Sequence, residues 1–484
     1  MTGAINVILP FFTLFIGAFG IIVIGRLLKF DNRITAGLTA TLLLVSLIQL
    51  IWIMGDSNID ILSFGAAGPG GVTFQPDVIG TFVSATILVI AILITIYSGG
   101  SISSEPTYLL YYPLILLSLS GLFGMFFTND LFNLFLLSEL SNLTASALIA
   151  FQSRAEGSVS AGYKYLIMSS LGTMIILLGV YFIYKGTGST DLSVISTLVN
   201  NSTRIGAGCF LVGFSIKAGV VPLHTWVPDV YSNSPSAISG LLAGVISKSV
   251  LFIVSITCTK LGMESSELGL FLIAFGCLNM LLGSIKALTQ KHIRRFLSYS
   301  SITHTGYLMF TLGIGHYYQL DSAFSTSIFL FVIAGIAKCL AFLTAGIYEH
   351  DRQVSEANDP GNPPKTVKYA PYLLSFALVG LAGIPPLAGF TGKWLVFSSA
   401  ISTGDVISMI GLVIFLVSSV IGLGGYLPMI VRLFKERDQP DDTNQLITNS
   451  SLWMTIPVYM FCVLYIIVSF HPTPWLQIII GIIK

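Results

Sequence analysis

Long apolar segments, separated by short polar ones, run along almost the whole chain. A helix that crosses a bilayer needs about 20 predominantly apolar residues, and at that length the pattern predicts about fourteen transmembrane helices. The predicted spans are residues 5–28, 34–54, 77–97, 108–127, 130–151, 161–184, 204–222, 235–258, 267–288, 298–314, 323–347, 370–400, 406–431 and 451–470. A short final segment, residues 472–484, is expected at the membrane interface. The sequence therefore predicts an all-α polytopic membrane protein.

Composition supports the same class. The chain is 54% hydrophobic and 9% charged, whereas soluble domains are about 25% charged. It has no basic block and no aromatic-basic platform, so we expect no nucleic-acid partner. We expect no cleaved signal peptide, because the first apolar run is too long and no small-residue cleavage site follows it.

The cysteines show no metal-ligand spacing. We therefore expect neither a disulfide framework, nor a zinc site, nor an iron–sulfur cluster in this chain. The five are interpreted as small apolar core residues, and they are Cys209, Cys258, Cys277, Cys339 and Cys462.

The basic residues are divided unequally between the two sides of the predicted membrane. Fifteen of the 23 lysines and arginines fall on one side, namely Arg26, Lys29, Arg33, Arg154, Lys164, Lys286, Lys291, Arg294, Arg295, Arg352, Lys365, Lys368, Arg432, Lys435 and Arg437. Four fall on the other side, which are Lys185, Arg204, Lys260 and Lys484, and four more lie inside spans. Basic residues are enriched in cytoplasmic loops. We therefore predict a multi-pass protein of the cell (inner or plasma) membrane with both termini external.

Two longer loops stand out between the spans. Residues 349–369, which contain Pro360, Pro363 and Pro364, are expected to form a solvated cytoplasmic linker. The glycine-rich residues 55–76 are predicted to face outside and are compatible with a short hairpin.

Very few ionisable groups lie deep in the predicted spans. They comprise one acid, four lysines and one histidine: Glu139, Lys217, Lys248, His304, Lys338 and Lys393. A lysine at the bilayer centre costs roughly 2.5–3.5 kcal/mol, and intramembrane ionisable groups usually mark ion pathways. We therefore interpret the six as a proton relay. His224 and Asp229, which flank a proline-rich loop, are candidate groups for proton uptake.

Each of these groups also has a structural alternative. A static salt bridge between Glu139 and Lys217 would only fix helix packing, and Lys248 would extend its long side chain to an interface. His304 would be a neutral, hydrogen-bonded core residue. Helix joining, helix capping or another structural role is the alternative for the remaining four, which are Lys338, Lys393, His224 and Asp229.

Prolines interrupt two of the predicted spans, at residues 216–228 and 381–394. Proline removes a helix donor, and broken helices at membrane depth persist only when buried in protein or lining a hydrated cavity. The breaks fall in the seventh and twelfth spans, while Glu139 and His304 fall in the fifth and tenth. This shift of five spans predicts two inverted repeats, because an odd number of crossings inverts topology. The expected divisions are a three-helix segment (1–107), two five-helix repeats (108–258 and 259–433) and a C-terminal helix and tail (434–484).

Six long motifs point to a known family. They are NDLFNLFLLSEL (129–140), AGYKYLIMSSLG (161–172), IKAGVVPLHTWVPDVYSNSPSAISGLLAGVISK (216–248), KALTQKHIRRFLSYSSITHTGYL (286–308), IAKCLAFLTAG (336–346) and GIPPLAGFTGKW (383–394). In these motifs the chain resembles the antiporter-like subunits of respiratory complex I, of Mrp-type sodium/proton antiporters and of archaeal membrane-bound hydrogenases. The resemblance covers residues 100–435.

The resemblance implies fourteen transmembrane helices with two inverted five-helix repeats, and it implies roles for the buried charges. These are a fifth-helix glutamate (Glu139) paired with the lysine of the broken seventh helix (Lys217), a connecting lysine in the eighth (Lys248), two groups on the central axis (His304 and Lys338) and a terminal group in the broken twelfth (Lys393).

Two positions depart from the pattern of these relatives. Many have histidine where this chain has Ala334, so the central relay would depend on Lys338 or on water. Lys393 stands where one complex I subtype has glutamate, which favours the subunit type nearest the quinone-side module or the D-type Mrp subunit. The phrase NDLFNLF and the retained Lys338 are more similar to Mrp or hydrogenase sequences.

The leading hypothesis is a proton-translocating subunit of a complex I-like, redox-driven oxidoreductase of the NADH:quinone or a related type. Since this chain has no cluster or flavin motif, iron–sulfur clusters and quinone or another acceptor are expected in partner subunits. The expected partners are other membrane subunits, including further antiporter-like subunits, and a quinone-site or hydrogenase-like module. The alternative is a sodium/proton antiporter subunit of an Mrp-type complex or membrane-bound hydrogenase. A purely structural scaffold is disfavoured by the six buried ionisable groups.

Overall fold

The structure, a computed structural model, describes residues 2–55, 62–64, 72–102, 107–152, 157–358, 369–435 and 452–483. The helices are α1 (Thr2–Leu28), α2 (Asn32–Gly55), α3 (Val78–Ser101), α4 (Tyr108–Phe127), α5 (Leu131–Ile149), α6 (Ser158–Thr187), α7 (Leu192–Ile195), α8 (Asn201–Ala218), α9 (Val227–Asn233), α10 (Ser236–Leu241), α11 (Ser247–Lys260), α12 (Ser265–Leu288), α13 (Ile293–Tyr318), α14 (Asp321–Asn358), α15 (Ala370–Ala382), α16 (Ala388–Ile401), α17 (Val406–Lys435), α18 (Leu452–Phe470) and α19 (Pro472–Ile483). A π-helical segment, Leu242–Ile246, joins α10 to α11 and makes one continuous helix of the three.

The protein is a nearly all-helical, multi-pass membrane protein. Within the described ranges, eleven helices are long and apolar enough to cross a membrane. The predicted seventh, tenth and twelfth spans are not among them. Breaks follow α8 and divide α15 from α16, while α13 carries a row of serine, threonine and histidine residues along its length. The count of fourteen therefore stays a prediction.

Three local predictions have a clear outcome. The glycine-rich loop contains the expected hairpin, since β1 (Leu62–Phe64) pairs with β2 (Val72–Phe74) in antiparallel register. The linker predicted to begin at residue 349 is wrong at its start, because α14 continues as a helix to Asn358. The predicted tenth span, residues 298–314, is too short at both ends, because Arg294 and Arg295 before it and His316 after it end an apolar run but not the helix.

Several features used for the topology lie outside the described residues. They are the linker prolines Pro360, Pro363 and Pro364 and five of the basic residues, Arg154, Lys365, Lys368, Arg437 and Lys484.

Aspartate and asparagine side chains begin helices at one end of the bundle. Asp77 accepts a hydrogen bond from the Gly80 amide at the start of α3, and Asp130 accepts one from the Asn133 amide at the start of α5. Asn200 forms a capping box with Thr203 at the start of α8. Such caps satisfy amide donors that the helix leaves free.

The backbones of two pairs of helices, α6 with α8 and α12 with α13, lie in close contact. A Cβ atom on Gly213 of α8 would lie 2.6 Å from the Gly172 carbonyl of α6, and one on Gly306 of α13 would lie 2.7 Å from the Gly276 carbonyl of α12. Small residues permit this approach, which drives helix association in lipid. The membrane segment of α14 is buried along its length and packs against α10, α13, α15, α16 and α18. This central helix holds Lys338.

Candidate functional site

The first helix break follows α8. Gly219 adopts a left-handed backbone (φ +70°), and its amide bonds the Ile216 carbonyl at 3.2 Å. The Val220 amide bonds the Ser215 carbonyl at 2.9 Å, which completes a Schellman-type helix end. Lys217 lies in this last turn and its side chain is buried.

The second break follows α15 and repeats the first. Gly383 is also left-handed (φ +76°), its amide bonds the Gly380 carbonyl at 3.0 Å, and the Ile384 amide bonds the Val379 carbonyl at 3.3 Å. The two breaks share a sequence pattern, AGVVPL at 218–223 and AGIPPL at 382–387. The Lys393 ammonium donates to the Ala382 carbonyl at 2.7 Å. A cation is favourable there, because the carbonyl end of a helix carries partial negative charge.

A stripe of hydroxyl groups on α6 lies between Glu139 and Lys217. The Thr173 hydroxyl donates to the Glu139 carboxylate at 2.6 Å, and the Ser170 hydroxyl lies 3.5 Å from it. The Lys217 ammonium donates to the Ser169 hydroxyl at 3.2 Å. The two charges therefore meet on adjacent residues of one helix.

The direct pairing expected for these two residues is not present in this structure. The ion pairs among the described residues do not include Glu139 with Lys217. Lys217 also donates to the Ser138 carbonyl, and both carboxylate oxygens of Glu139 accept from the Asn142 amide at 3.3 Å. Neutral groups thus accept or donate the hydrogen bonds of both side chains.

Lys248 is fully buried directly after the π-helical segment. Its ammonium donates to the Ala243 carbonyl and, at 3.1 Å, to the Ser301 hydroxyl. The Ser301 hydroxyl itself donates to Ala243 at 3.2 Å. These three contacts join α11 to α13 at the π-helical segment, to which Ala243 belongs. Such segments occur frequently at functional sites.

Lys338 of α14 is also fully buried, and it contacts Ser300, the residue of α13 next to Ser301. Its ammonium donates to the Ser300 hydroxyl at 2.7 Å and to the Leu297 carbonyl at 3.0 Å. The Ser300 hydroxyl in turn hydrogen-bonds the Tyr426 hydroxyl of α17. Because Ser300 and Ser301 are adjacent, one short stretch of α13 receives both Lys248 and Lys338.

His304 and Lys393 both line two small cavities beyond that stretch. Both cavities are lined by His304, Tyr307, Leu381 and Lys393. The His304 ring meets the Tyr307 ring edge to face at 5.3 Å, and the Lys393 ammonium lies 5.8 Å from the centre of the same Tyr307 ring. The structure therefore brings the last two predicted relay groups to one aromatic side chain.

The cavities also touch two other positions of interest. Ala334, which stands where many of the related sequences have histidine, lines one of them together with His304. Ser300 and Tyr426 line the other, which extends towards the Lys338 partners.

Asp229 and His224 lie in the segment after the first break. Asp229 binds Lys164 of α6 and lies 3.5 Å from Arg295 of α13, so it joins two helices. The Nδ1 atom of His224 is buried without a hydrogen-bond partner within the described part of the chain.

The sequence prediction missed the hydroxyl groups that contact the buried charges. Four of them stand within quoted motifs (Ser169, Ser170, Ser300 and Ser301), and the fifth is Thr173. The signal was a hydroxyl inside an apolar run, but spacing along the chain cannot show which hydroxyl faces which lysine.

No cluster of three or more metal-ligating side chains occurs within the described ranges. The five cysteines are free, and three of them are buried.

Comparison with known proteins relates this arrangement to a family. Residues 128–422 match the family described as NADH:quinone oxidoreductase/Mrp antiporter, TM. The chain is similar to the D-type subunit of the Na(+)/H(+) antiporter of Alkalihalophilus pseudofirmus, with 28% identity over 392 residues, which covers 79% of this chain and 78% of the relative.

Two further comparisons extend the likeness. The NADH-quinone oxidoreductase subunit N of Desulfitobacterium hafniense is 29% identical over 367 residues, covering 71% of this chain and 74% of the relative. Among solved structures, a chain of the archaeal membrane-bound sulfane sulfur reductase superposes with a TM-score of 0.85 at 22% identity, covering 98% of this chain and 96% of that one. The chain therefore shares its fold with a subunit of that respiratory membrane complex.

Proposed function

Because the chain belongs to the NADH:quinone oxidoreductase/Mrp antiporter transmembrane family, we propose that it is a proton-translocating membrane subunit of a complex I-like, redox-driven oxidoreductase. The observation that carries the proposal is the set of buried lysines held by neutral groups. Lys248 and Lys338 have no exposed surface, and both bond hydroxyl and carbonyl oxygens. A hydroxyl donates or accepts as required, so its contact survives when the lysine loses its proton.

The proposed path links these groups in order through the molecule. It starts at Glu139 and the hydroxyl stripe of α6, continues to Lys217 and Lys248, crosses the Ser300–Ser301 step to Lys338, and ends at His304 and Lys393. Moving one charge across the membrane potential is worth about 2.3 kcal/mol per 100 mV. The relay therefore supplies a path, and the driving energy must come from partner subunits.

His224 and Asp229 are proposed as the groups that take up protons at the cytoplasmic side. The buried Nδ1 atom of His224, which has no partner among the described residues, supports the first assignment. Asp229 is already bound to Lys164 and Arg295. Asp229 would therefore hold α6, α9 and α13 together at the start of the path, and it would also attract protons.

We further propose fourteen transmembrane helices with two inverted five-helix repeats, residues 108–258 and 259–433. The equivalent breaks after Ala218 and Ala382 support this division, because each pairs a left-handed glycine with a nearby lysine. The flanking parts are a three-helix segment (1–107) and a C-terminal helix and tail (434–484). The protein would lie in the cell (inner or plasma) membrane with both termini external.

The partners we propose are further antiporter-like subunits and a quinone-site or hydrogenase-like module. Iron–sulfur clusters and quinone, or another acceptor, would belong to those partners. The likeness to NADH-quinone oxidoreductase subunit N over 71% of this chain supports this assembly.

The test is proton uptake by the purified complex in vesicles, driven by its electron donor. Glu139→Gln and Lys217→Met should each abolish uptake and lower complex yield, because either change leaves one intramembrane charge without the opposite charge across the hydroxyl stripe. The double variant should restore complex yield towards wild type but not uptake. Lys185→Met, which removes an exposed lysine, is the control. Uptake by the double variant would refute the relay.

The likeness to the D-type subunit of a Na(+)/H(+) antiporter favours a second candidate, a sodium/proton antiporter subunit. The composition of the purified complex separates the two. Iron–sulfur or hydrogenase-like partners support the redox-driven function, whereas small antiporter subunits and sodium-dependent proton exchange without an electron donor support the second.

A further inference from the structure

The start of α16, directly after the second helix break, is bound by α18, a helix that lies outside both proposed repeats. The Ser469 hydroxyl accepts a hydrogen bond from the Ala388 amide at 2.8 Å, and the Tyr465 hydroxyl accepts one from the Gly389 amide at 3.1 Å. The first amides of a helix have no partner inside that helix, and the preceding residue, Leu387, offers no side-chain cap. Two hydroxyl groups of α18 therefore cap α16.

The Tyr465 hydroxyl also lies against the other side of the break. A Cβ atom on Gly380 of α15 would be 2.6 Å from this hydroxyl, and one on Gly389 would overlap the Gly380 carbonyl. The tyrosine ring packs edge to face against Phe376 of α15, with ring centres 5.9 Å apart. Tyr465 thus contacts both halves of the broken helix, at a point where glycine permits a very close approach of the two backbones.

This contact lies next to the end of the proposed relay. Tyr465 is only 1% exposed, and it lines the cavity that His304 and Lys393 also line. Lys393 stands four residues after Gly389, on the same face of α16, and its ammonium donates to the Ala382 carbonyl at the end of α15. The location of the ammonium therefore depends on how the start of α16 is held against α15.

The helix after the first break begins in another way. Pro228 stands in the first turn of α9 and brings no amide donor, while the Val227 amide bonds the His224 carbonyl at 3.0 Å. Ala388 and Gly389 at the start of α16 both have amide donors that need an acceptor. The need for hydroxyl caps from a separate helix is thus a feature of the second break.

We propose that Tyr465 and Ser469 are positioning residues for Lys393. Their hydroxyl groups hold the start of α16 against the end of α15, which keeps the Lys393 ammonium at the Ala382 carbonyl and beside His304. Neither side chain carries the transferred proton. When one hydroxyl is removed, a buried amide loses its acceptor, the start of α16 shifts to find another, and Lys393 shifts with it. The expected loss of proton transfer rests on the proposed function, whereas the shift of α16 does not.

The first experiment measures the geometry of the break in the whole complex. The five native cysteines are replaced, and spin labels are attached to Tyr372→Cys in α15 and Ser398→Cys in α16, two exposed positions. Tyr465→Phe should broaden the distribution of distances between the labels. Tyr459→Phe is the matched control, since it removes the hydroxyl of an exposed tyrosine in the same helix, and its distribution should equal that of the wild type.

The second experiment measures driven proton transfer by the complexes in vesicles. Tyr465→Phe and Ser469→Ala should each slow transfer about tenfold or more, because each leaves a buried donor unsatisfied. Ser469→Thr keeps the hydroxyl and should transfer protons at a rate close to that of the wild type. Tyr459→Phe is again the control, and complex yield is measured for every variant.

The outcomes separate this proposal from the one on which it rests. An unchanged distance distribution in Tyr465→Phe overturns the proposal, as does a wild-type transfer rate in Tyr465→Phe or Ser469→Ala. Equal loss of transfer in Ser469→Thr and Ser469→Ala also overturns it, because the hydroxyl would then have no special role. The proposed function is judged by Lys393→Met. If this variant does not translocate protons while the wild type does, the relay stands whatever the α18 variants show. If it translocates normally, Lys393 is not a relay group, and only the distance measurement still tests the contact with α18.

Discussion

At the scale of single residues, the buried lysines are held by uncharged oxygen atoms. The Lys338 ammonium bonds a hydroxyl and a carbonyl and has no exposed surface. Burying an ammonium costs several kcal/mol unless a counter-charge offsets it. A charged Lys338 therefore lowers the stability of the fold rather than raising it.

The first prediction follows from that balance. Lys338→Met removes the buried charge with little change of volume, so the complex should assemble with at least the wild-type yield. Proton transfer should fall by about a hundredfold or more. Yield and transfer are measured together, with Lys291→Met at an exposed lysine as the control. Failure to assemble would identify Lys338 as a helix-joining residue, and a normal rate would exclude it from the relay.

A second prediction concerns the hydroxyl stripe between Glu139 and Lys217. Thr173→Val keeps the shape of the side chain but removes the 2.6 Å hydrogen bond to the carboxylate. Hydrogen bonds to charged groups contribute about 1.5–3 kcal/mol, so transfer should fall about tenfold or more while the complex persists. Thr187→Val at the end of the same helix removes only contacts to backbone groups and is the control. Equal rates for the two variants would show that the stripe only packs.

At the scale of elements, the helix breaks have local causes that can be tested separately. Gly219 and Gly383 are left-handed, and an added Cβ would lie 2.5 Å from Val227 and 2.7 Å from Lys393. Gly404 has a similar backbone (φ +64°) but open space around it. The left-handed backbone alone costs a residue other than glycine about 1–2 kcal/mol.

The third prediction compares these glycines. Gly404→Ala should lower thermal stability slightly, whereas Gly219→Ala and Gly383→Ala should lower it more, since they add a steric clash to the backbone cost. Gly383→Ala should also slow proton transfer, because the clash displaces the Lys393 side chain. Thermal unfolding of the purified complex and the transfer rate are the measurements. Equal losses for all three variants would show that the clashes relax without consequence.

The same elements show what the sequence could and could not predict. Apolar length predicted most helices closely, and prolines with lysines predicted both breaks. The ends of α13 and α14 were missed, because polar residues such as His316 end an apolar window but not a helix. Contacts such as Ser300 with Lys338 join residues 38 positions apart. Such contacts depend on how helices rotate against one another, which periodicity does not specify.

At the scale of the whole molecule, the number of membrane crossings depends on whether α13 spans the membrane. It is more polar than the other long helices and is not among the eleven clear spans. Its 26 residues nevertheless extend about 39 Å, which exceeds a hydrocarbon core of about 30 Å. Its polar face is buried against Lys248, Lys338 and Tyr426 rather than exposed to lipid. We therefore expect α13 to cross the membrane.

The last prediction tests this crossing and the orientation together. Single cysteines are introduced into a cysteine-free chain at three exposed positions, Lys291 before α13, Ser322 after it, and His471 after α18. The excess of basic residues predicts that Lys291 lies on the cytoplasmic side. In intact cells an impermeant maleimide should label Ser322→Cys and His471→Cys at once, and Lys291→Cys only after permeabilisation. Labelling of Lys291→Cys and Ser322→Cys from one side would mean that α13 does not cross. Labelling of Lys291→Cys alone in intact cells would show that the orientation is the inverse of the predicted one.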